Sequence, residues 1–383
     1  MLARTAASVG LFVALASTAF AGPILDRSGA PFDEGGDNPV QYIRPDTLKA
    51  LGERQLSFDA KISEVVREQI VIGTARYQAK RGAGLVMDVH TGEILGMATY
   101  ERFDANPPNA SGAMFDLLSQ ATFEFGLSAK AITIASALEA GTIKPDTLLD
   151  ARKPLKFGKY QIDDYRPSRK QLMPTEALLK SSNIAMVRVQ MALGSENTKL
   201  AFDKASQFSK FEIEGMEVAE PIVQRYWNEL TAATVSYGHG FAVPPIQAAA
   251  VMASFGNGGI LVKPTILKVD QPPTDAKRLW SQSTADFILA TMRKNIVEGS
   301  GTLINFPDMQ IAGLTSTSSM VVDGKYSATD VITTFAGVFP ADKPKYLVLT
   351  LLDRPQALKD THGFVTSGWN AAPVAGEIIK RIN

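Results

Sequence analysis

Cysteine is absent from this chain of 383 residues. Its absence removes disulfides, thiolate metal ligation and cysteine nucleophiles together. Histidine is scarce: His90, His239 and His362 are the only three, and they are scattered. A histidine-built metal site is therefore not expected, and no cofactor is implied. An excess of one charge is lacking as well. Lys plus Arg number 39 and so do Asp plus Glu. No overall field favours nucleic acid or an anionic membrane surface, and nucleic acid is not an expected partner.

Long apolar runs are also missing, apart from the first 21 residues, MLARTAASVGLFVALASTAFA. Arg4 supplies a positive start, Val9 to Ala16 an apolar centre, and Ala19-Phe20-Ala21 a small-residue cleavage pattern. The apolar stretch falls short of the roughly 20 residues that span a bilayer. Residues 1–21 are thus expected to be a signal peptide cleaved after Ala21, placing the protein in the periplasm or cell envelope. The alternative is an uncleaved membrane anchor.

What remains is ordinary globular composition, 45% hydrophobic and 20% charged, enough for one large domain or two smaller ones. Residues 22–55 are rich in Gly, Pro and charge, and read as irregular structure: a linker or the remnant of an N-terminal region. A helix is expected over 60–78. Strand-like runs at 84–90 and 94–100 flank a His90-Thr91-Gly92-Glu93 turn. The middle, 111–310, reads as mostly helical, with helices over 130–140 and 245–255. Helical runs at 176–180 and up to Leu193 flank Ser181-Ser182-Asn183. Strands return at 309–314, 331–338 and 345–352, and a helix over 371–381 closes the chain. Two strands, inserted helices, then three strands and a helix predict an α+β domain. Its single antiparallel sheet is assembled from both ends of the chain and flanked by helices.

Three short segments carry the chemistry. Residues 124–130 read EFGLSAK, 180–183 read KSSN, and 313–317 read GLTST. They resemble the Ser-x-x-Lys, Ser-x-Asn and Lys-Thr-Gly-Thr motifs of class B penicillin-binding proteins, the peptidoglycan transpeptidases of elongation and division. Five further segments agree in order: MDVHTGEILGMATYERFDAN, SALEAGTIKPDTLLD, YGHGFAVPPIQAAAVMASFGNGGILVKPTI, MRKNIVEGSGT and FAGVFPADKPKYLVLTLLDRP. The resemblance covers about 56–383. It implies a penicillin-binding transpeptidase, serine-β-lactamase-like fold with a mostly helical subdomain. The first motif would start the central helix, the second would lie on a loop between helices, and the third would be a strand edging the cleft.

The motifs are degenerate. An acyl-transfer serine enzyme needs a hydroxyl, a base and an oxyanion hole. The resemblance puts the nucleophile at position 127, which is Leu127, beside the general base Lys130. Ser128 is the shifted candidate. It lies two residues from Lys130, about 200° around a helix, so the two side chains are expected to diverge; its other reading is a helix N-terminal serine. Ser181 and Asn183 match the proton-relay and substrate-amide positions, or else are loop residues closing a helix–helix turn. At the third motif, Leu314 stands for the cation and Ser316 for the glycine, with Thr315 and Thr317 intact. These four match the substrate-binding strand, or form a plain edge strand. The backbone N–H groups of Leu127 and Thr317 fall at the implied oxyanion hole.

The leading expectation is an exported transpeptidase-like pseudoenzyme. Its implied partners are a peptidoglycan stem peptide, a β-lactam, or proteins of cell-wall synthesis and division. The rival is an active serine D,D-transpeptidase or carboxypeptidase using Ser128. A third reading is a β-lactam-sensing or scaffolding domain. The stretch 160–169, YQIDDYRPSR, reads as a partner surface or a solvated loop.

Overall fold

Along the first strand, Leu85 and Met87 pack into one apolar cluster while Val86 packs into another. That alternation is the period of a sheet buried on both faces. The structure is a computed structural model and describes residues 24–32, 38–51, 54–102, 114–322 and 324–383. The expected leader at 1–21 lies outside the described residues.

The sheet has five antiparallel strands. In chain order they are β1 (Arg81–Asp88), β2 (Ile94–Glu101), β3 (Ala312–Val322), β4 (Lys325–Phe339) and β5 (Tyr346–Asp353). Their spatial order is β3-β4-β5-β1-β2. The chain's two ends thus meet where β1 pairs with β5, as the pattern predicts. The β1–β2 turn closes because the Asp88 carboxylate accepts from the N–H groups of His90 and Thr91. Gly92 supplies the left-handed φ of 76°.

Helices α2 (Ala60–Arg76) and α10 (Ala371–Ile382) cover one face of the sheet. Val66 and Ile70 from the first, and Ile378 and Ile379 from the second, meet Val86, Val348 and Leu352. Asp59 caps α2 by accepting from the Ile62 N–H. The other face carries the larger core, in which Leu85, Met87, Leu347 and Leu349 meet the helical part. The centre of that part is α3 (Gly126–Glu139), buried along almost its whole length. Around it lie α4 (Pro174–Leu179), α5 (Asn183–Leu193), α6 (Ser195–Lys204), α7 (Glu229–Val235), α8 (Pro245–Ser254) and α9 (Gln282–Glu298).

Two expectations need correction. Residues 45–51, read within an irregular segment, form a helix, α1 (Pro45–Leu51), and Tyr42, Ile43 and Leu51 enter the larger core. Burial of these apolar groups gives the segment a fixed place that its Gly- and Pro-rich composition hid. The third expected strand, 309–314, is displaced and lengthened to Ala312–Val322. Its serines and threonines hide a strand because it lies at the sheet edge, where one flank need not be apolar. The β3–β4 hairpin overhangs the sheet: β4 has 15 residues and β5 has 8, and β4 meets β5 only from Ile332 onward.

Phe335 shows how tightly the sheet packs. Its ring is fully buried and fills the space beside Gly313 and Gly337, where any Cβ would meet it. Phe335→Ala is expected to lower stability by about 3–5 kcal/mol, read as a shift of the urea midpoint. A change under about 1 kcal/mol would mean that this ring does not support the edge strand.

Candidate functional site

The site gathers where α3 begins. Gly126 opens the helix with its backbone against the Tyr237–Gly238 turn. A Cβ on Gly238, whose φ is 97°, would come within 2.6 Å of the Gly126 Cα. Both glycines are therefore needed for this approach. One turn into the helix, Lys130 points back toward its start, and its Nζ donates to the Ser181 Oγ at 2.8 Å.

Ser181 reaches the lysine because of how α4 ends. The Ser181 N–H bonds to the Leu178 carbonyl, the Ser182 N–H bonds to the Ala177 carbonyl, and Ser181 takes the left-handed φ of 50°. Glycine is the usual residue at such a helix end. The next residue starts α5. Ser182 accepts from the Ala185 N–H at 3.1 Å and donates to Asp164 at 2.8 Å, and the same carboxylate accepts from the Ile184 N–H. The loop is held from both sides, and Ser181 stands exposed at its crest.

Burial pushes the Lys130 amine down to about 8, against the opposing pull of the Asp164 charge. Such an amine is partly neutral near physiological pH, as a general base must be. His239 is pushed down to about 4 by burial, with the Lys130 charge adding to the effect, so its ring is neutral. The ring stacks on Tyr326 at 4.9 Å.

Glu124, just ahead of α3, accepts from the Gly240 N–H and from the Tyr326 hydroxyl, both at 2.8 Å. Burial raises its carboxyl above the ordinary range despite those donors. It also helps to push the Tyr237 phenol up to about 12, after burial.

The expected positions divide into two groups. Lys130 and Ser181 meet directly. Ser316 joins them: its Oγ lies 3.1 Å from where a Gly126 Cβ would stand, and the Lys130 Nζ lies 3.6 Å from the same point. Asn183 sits next to Ser181 but gives its amide to the Asp163 carbonyl at 3.3 Å.

The others turn elsewhere. Leu127 and Leu314 are 2% and 4% exposed and belong to the larger core. The resemblance sets them at the nucleophile and cation positions; both side chains are absorbed into the core packing instead. Thr315 Oγ1 lies 2.5 Å from the Ser300 hydroxyl, and Thr317 Oγ1 accepts from the Ser367 N–H at 3.1 Å. Alternation along β3 puts these two opposite Ser316. Ser128 is wholly buried and donates to the Phe125 carbonyl at 3.2 Å.

Sequence reasoning missed Asp164, Glu124 and Tyr326. Asp164 lay inside the stretch read as a partner surface or solvated loop. Tyr165 there is 82% exposed, but Asp164 is buried and anchors α5. Glu124 was visible as an acidic residue three before Leu127. Tyr326 carried no local signal, since it arrives from 202 residues away. Among the described residues no three or more acidic, Cys or His side chains cluster as a metal site. Among those residues no helix is long and apolar enough to cross a membrane.

A model of the penicillin binding protein transpeptidase domain matches residues 82–380. The chain belongs to this family. It is 33% identical over 347 residues to a probable peptidoglycan D,D-transpeptidase FtsI of Caulobacter vibrioides, covering 86% of this chain and 58% of that protein. It is 30% identical over 352 residues to peptidoglycan D,D-transpeptidase FtsI of Escherichia coli K12, covering 89% and 57%. The chain therefore spans somewhat more than half the length of these relatives. Among solved structures, the transpeptidase domain of penicillin-binding protein 3 from Burkholderia pseudomallei superposes with TM-score 0.75 at 24% identity, covering 85% of this chain and 95% of that one. A mycobacterial penicillin-binding protein 3 complexed with aztreonam superposes with TM-score 0.81 at 20% identity, covering 95% and 96%. The transpeptidase fold expected from the three motifs is thus the fold found.

Glu124 gives this transpeptidase domain a pH signature. A carboxyl whose folded pKa is raised contributes stability that is complete below the unfolded value and is lost as pH rises through the folded one. Relative to Glu124→Gln, the wild-type chain should lose urea-unfolding stability as pH rises through and above the ordinary carboxyl range. Parallel stability profiles for the two chains would refute a strained carboxyl at this position.

Proposed function

We propose that this chain is an exported transpeptidase-like pseudoenzyme of peptidoglycan synthesis and division. It binds stem peptides or proteins of the wall machinery without the acyl transfer of its family. The domain doing so is 56–383, delivered by a leader cleaved after Ala21, with 22–55 as the remnant of an N-terminal region packed onto it through Tyr42, Ile43 and Leu51. The family match and the similarity to proteins named peptidoglycan D,D-transpeptidases support the cell-wall setting.

One observation carries the loss of family chemistry: neither first-motif position offers Lys130 a hydroxyl. Leu127 has none. Ser128 is sealed in the core with its proton given to the Phe125 carbonyl. The shifted-serine reading, an active D,D-transpeptidase or carboxypeptidase working through Ser128, therefore lacks support from geometry. Leu314 withdraws the cation that would attract an anionic group on a ligand, which favours recognition of peptide or β-lactam through neutral contacts. No metal or cofactor enters this reading.

Calorimetric titration with a synthetic stem pentapeptide, beside chromatography for its released terminal residue, tests the proposal. Binding without release is expected. Release that disappears in Ser128→Ala would overturn it in favour of the shifted-serine enzyme. The combined variant Leu127→Ser, Leu314→Lys and Ser316→Gly, once shown to fold, is expected to form a penicillin ester at position 127. A folded but inert variant would mean that the surrounding donors are no longer preorganised.

A further inference from the structure

Ser181 is the hydroxyl that Lys130 does reach. The Nζ–Oγ distance is 2.8 Å, within the range required of a nucleophile and its base. Ser181 is an exposed residue while its lysine is 9% exposed, so the serine lies at the surface and the amine behind it. Its left-handed backbone, with φ of 50°, is held by hydrogen bonds on either side and by the Ser182–Asp164 anchor. Strained, overdetermined positions of this kind concentrate where geometry serves function. A glycine would end α4 without that strain, and the side chain present is a hydroxymethyl group aimed at the amine.

We propose that Ser181, with Lys130 as its base, forms an acyl-accepting dyad in this domain. Its substrates are activated, uncharged acyl donors such as esters. The Ser181 Oγ attacks the donor carbonyl carbon and forms a C–O bond. Its proton passes to the Lys130 Nζ, the bond from carbonyl to leaving group breaks, and the proton leaves with that group. The product is an ester on Ser181. The preference for uncharged donors follows from the lack of a cation at position 314, where the family places one. The dyad rests on the reading above that positions 127 and 128 offer no usable hydroxyl. It differs from that reading in assigning the loop serine a covalent role.

Groups around the base set its pH behaviour. The Asp164 carboxylate raises the affinity of Lys130 for its proton. His239 stays neutral above about 4 and adds no competing charge near neutrality. Glu124 lies beyond His239, 3.9 Å from its Nε2. With the amine near 8, its neutral fraction grows from about a tenth at pH 7 to about nine tenths at pH 9.

The test treats the whole chain with p-nitrophenyl acetate and maps acetyl groups by peptide mass spectrometry, with hydroxylamine separating esters from lysine amides. The expected result is one hydroxylamine-labile acetyl group, on Ser181. The labelling rate should rise about tenfold between pH 7 and pH 9 and level off above. Ser181→Gly suits the left-handed backbone and is expected to fold and to lose the label. Lys130→Met, which keeps the buried bulk, is expected to slow it at least tenfold. Ser128→Ala is expected to label normally. An ester on Ser316 or Ser128, acetyl only on lysines, or a rate that follows hydroxide without levelling would each overturn the dyad. Stem-peptide release, measured on the same preparation, separates the two readings. Absence of both label and release overturns the dyad alone, whereas release of the terminal residue overturns the binding-only function and leaves the dyad to its label.

Discussion

The buried amine of Lys130 is the point on which the site depends. It joins α3, the helix at the centre of the larger core, to the α4–α5 loop through one bond to Ser181. A charge inside a core is expensive unless partnered. Here the cost is limited by a lowered pKa, a hydroxyl acceptor and the nearby Asp164. Remove the lysine, and Ser181 loses the partner toward which its unusual backbone directs it. The glycine contact of Gly126 with the Tyr237–Gly238 turn then has little to position.

Much of the fold was legible because its apolar runs are bounded by clear turn signals. Strand-like apolar runs disclosed β1, β2, β4 and β5, and the order of two strands, inserted helices and three strands disclosed the antiparallel sheet. The edge strand was hidden by its serines and threonines. The helix at 45–51 was hidden by its surroundings, since its anchoring comes from Tyr42 and Ile43, which pack onto distant parts of the chain. Local composition contains no record of such contacts.

The site was half legible. The resemblance to the family's motifs gave Lys130, Ser181 and Asn183, and the encounter of the first two follows from the fold. Helix geometry turned Ser128 away from Lys130, but the directions of Leu127 and Leu314 were not readable. Leu127 and Leu314 were expected at the cleft and went into the core, because a leucine side chain gains by leaving water. Asp164 was taken for surface because charge usually is; two backbone or hydroxyl donors make its burial tolerable. Tyr326 and Glu124 meet across the whole molecule, beyond the reach of any window on the sequence.

The overhanging β3–β4 hairpin is also a mechanical arm. Residues 325–331 of β4 precede its pairing with β5, a projection of about 20 Å at the usual rise per strand residue. The Tyr326 hydroxyl fastens the far end of this arm to Glu124 at the head of α3. A restraint at the tip acts with the greatest leverage. One hydrogen bond there limits rotation of the whole edge more effectively than several near the pivot. The sheet edge and the start of the central helix are thereby coupled as a clamp whose stiffness is set far from its hinge.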